Sequence, residues 1–172
     1  MKEDTELIFR EEQKFPLWLC WLIYLSMGSA AMLNVFALKE VLSEQGSQEI
    51  LGILMLIIVG IGVPIAIAAL FLLLKLETEV RPDGLYIRFF PFHIHFIKFS
   101  PDDLSEFYAR QYKPIREYGC WGIRCGLFGK GKAYNVSGNK GVQLVFNNGK
   151  KLLIGSRRAQ ELEQAICSII KG

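Results

Sequence analysis

The chain has 172 residues, 51% of them hydrophobic and 22% charged, with a formal net charge of +3. Its four cysteines, Cys20, Cys120, Cys125 and Cys167, lie in unrelated contexts, which excludes a disulfide framework and suits a reducing compartment. Charge and apolarity are unevenly spread: residues 1–74 hold 4 Lys/Arg against 8 Asp/Glu, and residues 75–172 hold 16 against 9.

Met1 to Lys14 is polar and mixed in charge, and is expected to form a tail or an interfacial helix. Phe15 to Leu38 and Ile50 to Leu74 carry no charge. At about 1.5 Å per helical residue each is long enough to cross a hydrocarbon core of ~30 Å. The sequence therefore predicts a two-helix transmembrane hairpin: tail 1–14, first span 15–38, extracytoplasmic loop 39–49, second span 50–74. Trp18, Trp21 and Tyr24 suit a headgroup boundary, and Pro16 a first helical position. Ser29-Ala30-Ala31 resembles a cleavage site, but an acidic leader and an overlong apolar run argue against a signal peptide.

The loop has one base against three in the tail, so the positive-inside rule places both termini in the cytoplasm and the protein in the cell inner membrane. In the second stretch Pro64 is expected to kink the helix. Gly62-x-x-x-Ala66 permits close helix approach, although glycine is common in membrane helices. Neither span holds an ionisable residue, which argues against a transporter or proton path. Asn34 is read as interfacial.

From Leu76 the pattern becomes short strands broken by turn residues. Arg81-Pro82-Asp83-Gly84 has turn chemistry between strands Leu76 to Val80 and Leu85 to Phe90. His93 to Phe99 reads as a strand, Ser100 to Leu104 as one helical turn, and Ser105 to Tyr112 as extended. Lys113 to Gly131 is loop-rich, with a short strand around Gly122 to Cys125. Strands follow at Lys132 to Val136, Gly141 to Phe146 and Lys151 to Ile154, the last two joined by Asn147-Asn148-Gly149. Ser156 caps a closing helix, Arg157 to Ile170, with Leu162, Ala165, Ile166, Ile169 and Ile170 on one face.

About seven antiparallel strands followed by one helix is the element order of the pleckstrin-homology-like (PH-like) fold. The stretches Tyr108 to Gly119, Trp121 to Arg124, Lys132 to Leu144 and Gly149 to Ser156 resemble those of uncharacterised prokaryotic two-pass membrane proteins with a PH-like domain. The resemblance covers most of residues 50–172. It implies an α+β PH-like domain at 75–172, a β-barrel or sandwich capped by its C-terminal helix. No functional residue or activity is carried over with it.

His93, His95, Cys120 and Cys125 have the residue types of a zinc site, but the cysteine spacing is wide and no cofactor or metal is expected. Gly126-Leu-Phe-Gly-Lys-Gly-Lys132 has glycines and lysines that suit an anion, without the Walker ending; solvated hairpin lysines are the plainer reading. Tyr112, Lys113, Arg116, Tyr118, Trp121, Arg124, Lys130 and Lys132 mix bases with aromatic rings, as interaction surfaces do. Asn135-Val136-Ser137 matches a glycosylation acceptor and is set aside on a cytoplasmic strand. No nucleophile and base pair up, so no enzyme is expected.

The leading expectation is a membrane-anchored module that binds a protein partner or self-associates into a homo-oligomer. The alternative is a reader of anionic lipid headgroups or of a small anionic ligand. A zinc- or thiol-dependent enzyme is remote, and nucleic acid is not an expected partner.

Overall fold

A computed structural model describes residues 7–43, 58–119, 122–126 and 131–171. The chain divides into a helical unit, Phe15–Leu73, and a sheet unit, Met1–Lys14 with Leu74–Gly172. Both cuts fall where apolar sequence gives way to charged sequence.

In the helical unit, Leu17–Ser43 forms α1. A π-helical turn, Ile58–Gly62, leads into α2, Val63–Leu73. The irregular turn falls where Pro64 lacks the donor that a continuous α-helical ladder needs. Phe15 meets Phe71 edge-on at 5.6 Å, and the Tyr24 hydroxyl donates to the Ala68 carbonyl at 3.4 Å. Gly60 lies close against the Asn34 side chain. These pairs run in opposite chain order, so α1 and α2 are antiparallel. Asn34 does not simply face outward: its amide donates to the Ala30 carbonyl one turn back.

Among the described residues no helix is long and apolar enough to cross a membrane. α2, with 11 residues, is about 17 Å long against the ~30 Å required, and α1 runs on through Lys39 and Glu40. This overturns the two-span transmembrane hairpin, the extracytoplasmic loop and the placement in the inner membrane with cytoplasmic termini. Residues 44–57, which include part of the expected loop and the start of the second stretch, lie outside the described residues.

The sheet unit has nine strands among its described residues. Phe9–Lys14 (β1), Lys75–Arg81 (β2), Gly84–Phe90 (β3) and Ile97–Phe99 (β4) form one antiparallel sheet in chain order. Leu104–Gln111 (β5), Gly122–Cys125 (β6), Lys132–Asn135 (β7), Lys140–Phe146 (β8) and Lys151–Gly155 (β9) form the other, ordered β5-β8-β9-β7-β6. Pro101–Asp103 makes the expected helical turn, Pro114–Tyr118 a short helix α3, and Ala159–Lys171 the closing helix α4.

Two features correct the PH-like expectation. β7 skips β8 and pairs in parallel with β9, whereas the sequence predicts antiparallel strands throughout. The expected tail supplies β1, paired with β2 from Phe9 opposite Val80 to Lys14 opposite Lys75. The architecture is an α+β unit of two sheets, with the helical unit inserted between two neighbouring strands of one of them.

The core follows the period-two rule for strands. Leu76 and Val80 of β2, with Leu85, Ile87 and Phe89 of β3, are buried on one face. Val142 and Leu144 of β8 are buried in the second sheet, and Leu162, Ala165 and Ile166 are buried on α4, which packs on β5 and β8 and touches β1 and β2. β1 is fastened to this end by polar contacts. Glu11 accepts the Ser156 hydroxyl at 2.5 Å and the Arg157 amide at 2.9 Å. Gln13 donates to the Gly155 carbonyl, and Arg158 lies over the Phe9 ring.

The other face of β2 carries acids. Glu77, 2% exposed, is bound by Lys75 at 2.7 Å and by Arg88. Burial pushes its carboxyl up, but the hydrogen bonds and charges of Lys75 and Arg88 outweigh this and hold it below its ordinary value of 4.5. A folded-state value below the unfolded one stabilises fully above about pH 4.5, and that contribution is lost as pH falls through the folded value. The acid limb of thermal stability, followed by circular dichroism, should therefore be steeper in the wild type than in Glu77→Gln. Equal slopes would remove Glu77 from the acid response.

Candidate functional site

A cleft of about 620 Å³ in the sheet unit opens between β4 and the starts of β7 and β9. Because β7 and β9 are parallel, with Lys132 opposite Leu152 and Tyr134 opposite Ile154, Lys132 is brought to the same end as Lys151. The β8–β9 turn through Gly149 sets Lys150 beside them. This crossing requires a glycine: at Gly131 φ is +80°, and a Cβ would stand 2.1 Å from the Lys151 carbonyl oxygen. Ile97, Phe99, Tyr134 and Leu152 supply the apolar lining.

All three lysines are exposed, and among the described residues none has an acidic partner. The bases of the first sheet differ: Arg10, Lys14, Lys75, Arg81, Arg88 and Lys98 are each within ion-pair distance of a carboxylate. Tyr134 is mostly buried, and burial first, with the nearby Cys125 thiol second, raises its phenol above the ordinary range. It therefore stays neutral and able to donate a hydrogen bond. His93 stands edge-on behind the Tyr134 ring at 5.7 Å, its Nδ1 buried without a hydrogen-bond partner. A second hollow of about 370 Å³ shares Phe99 and Lys150 and extends past Phe146, Asp103 and Asn147. The Phe99 and Phe146 rings are 5.6 Å apart.

The eight residues singled out from the sequence are not gathered in one place. Tyr112 and Tyr118 are buried with Ala133 and Leu153 in a small apolar cluster, their rings edge-on at 6.1 Å. Arg110 binds Gln143, Glu117 and the Tyr118 hydroxyl beside it. Lys113 and Arg116 are exposed around Ile115 on a shallow hollow of about 380 Å³. Arg124 is exposed on β6, opposite Ala133. Lys132 belongs to the cleft, and Trp121 and Lys130 lie outside the described residues.

Of the metal-type residues, His95 and Cys125 are exposed and His93 packs on Tyr134, while Cys120 lies outside the described residues. Among the described residues no three His, Cys, Asp or Glu side chains gather as a metal site would require. Sequence reasoning missed Lys150, Lys151, Tyr134 and Phe99. The lysines follow an evident hairpin turn; what brings Lys132 to them is a parallel pairing with no local signal.

A family model described as a family of unknown function, DUF6141, matches residues 1–172. No curated protein and no solved structure matches the chain.

Proposed function

The chain belongs to the DUF6141 family of unknown function, and from its geometry we propose that it is a binding module whose inter-sheet cleft holds a small anionic ligand. The observation that carries this is the cluster of Lys132, Lys150 and Lys151, without acidic partners among the described residues, around an apolar lining. Like charges held together repel, and a cleft with low-dielectric walls focuses their field on an incoming anion. A concave site of about 300–1,000 Å³, mainly apolar with a few placed polar groups, is the usual form of a small-molecule pocket.

The test uses anilinonaphthalenesulfonate, an anionic aromatic probe, with the full chain. Three solvated ion pairs at about 0.2–1 kcal/mol each correspond to a loss of roughly threefold to a hundredfold in affinity. K132E/K150E/K151E should therefore bind the probe about tenfold more weakly, and wild-type binding should weaken as salt rises. Unchanged affinity in the triple variant would remove the cleft as an anion site.

A second reading, docking of a protein partner, is supported by Ile115, 66% exposed between Lys113 and Arg116. It needs no contribution from the buried Tyr112 and Tyr118. Ile115→Asp would weaken such docking and leave probe binding in the cleft intact.

A further inference from the structure

Resting on the reading of the cleft as an anion site, we infer that its ligand is a free amphiphile, with one acidic head on an apolar body, rather than a bare polyanion. The cleft combines a group of charges with a carbon lining. Lys132 and Lys151 open two parallel strands, so their charges collect at one end, with Lys150 beside them. Around them Ile97, Phe99, Tyr134 and Leu152 present carbon.

A volume of about 620 Å³ holds roughly twenty non-hydrogen atoms at interior packing density, more than an inorganic anion fills. Recognition favours the same choice. An exposed lysine contributes at most about fivefold in affinity, whereas each methylene removed from water contributes about fourfold. A chain of eight or more methylenes therefore outweighs the lysines, which orient the head. The neutral Tyr134 phenol adds a donor beside the apolar lining.

Displacement of anilinonaphthalenesulfonate from the full chain tests this, counting only the signal lost in K132E/K150E/K151E, because apolar side chains elsewhere bind the probe without lysines. Decanoate should displace that signal at a concentration at least about a hundredfold below acetate or inorganic phosphate, and about tenfold below decanol. Ile97→Asn should weaken decanoate more than phosphate, each corrected for the variant's own affinity for the probe; an unchanged circular dichroism spectrum shows that the unit is still folded, and equal weakening of both would overturn the apolar body. Phosphate equal to decanoate would overturn the amphiphile and keep the anion site. Decanol equal to decanoate would overturn the acidic head. Displacement by phosphatidylglycerol vesicles but not by monomeric decanoate would overturn the free ligand. A signal with no lysine-dependent part would overturn the underlying anion reading itself.

Discussion

Replacing Glu11 with alanine should destabilise the sheet unit by about 3 kcal/mol. The carboxylate is buried and accepts two hydrogen bonds from the turn just before α4, from the Ser156 hydroxyl and the Arg157 amide. Ser156 in turn accepts the Arg158 amide, so the acid orients the residue that closes the turn leading into α4. Removing it leaves a hydroxyl and an N–H without their partner, at about 1–3 kcal/mol each. It also removes a negative charge from a helix N-terminus, worth about 0.3–1 kcal/mol, while relief of the acid's own desolvation offsets part of the loss. In urea the unfolding midpoint should fall by roughly 1–3 M for a slope of 1–3 kcal/mol per molar. Glu11→Gln, which keeps an acceptor, should lose about half as much. A midpoint unmoved by alanine would show that β1 is held by its ladder to β2 alone.

Gly141→Ala should be at least as damaging, for a different reason. Gly141 of β8 faces Gly155 of β9, and a Cβ there would stand 2.3 Å from the Ile154 carbonyl oxygen. The obstacle is backbone, which cannot turn aside as a side chain does; relief means parting the central β8–β9 ladder. The expected loss is about 3 kcal/mol or more, at the upper end of overpacking costs. Gly138→Ala is the control, because its φ is +79° but nothing lies within 4 Å of the added carbon. Backbone strain alone should cost about 1–2 kcal/mol there. Equal melting shifts for the two variants would refute the close approach of β8 to β9.

The strands that were legible in the sequence are those whose partners lie one turn away. Asn147-Asn148-Gly149 announces the β8–β9 hairpin, and Arg81-Pro82-Asp83-Gly84 the β2–β3 hairpin, with Arg81 opposite Gly84. The closing helix shows its apolar face through Leu162, Ala165 and Ile166. β1 was not legible: its inward residues are Phe9, Glu11 and Gln13, two of them polar and made tolerable only by groups near Ser156. Tyr112 and Tyr118 look like surface aromatics among bases until Arg110 is seen bound beside them. The cleft was half legible. Lys132 was found, but β7 precedes β8 and suggests a hairpin with it, while the chain pairs β7 with β9 instead. Membrane spans were read from uncharged length alone, and the break at Pro64 shortens the described second helix below what a span needs.

The insertion of the helical unit between paired strands also sets an order of events during synthesis. Lys14 must wait for Lys75 before β1 has a strand partner, and Glu11 must wait for Ser156, 145 positions later. At about 5–20 residues per second, that interval is roughly 7–30 s on the ribosome. β1, made before the other eight described strands, is therefore among the last to be sealed, and until then its edge stays unpaired.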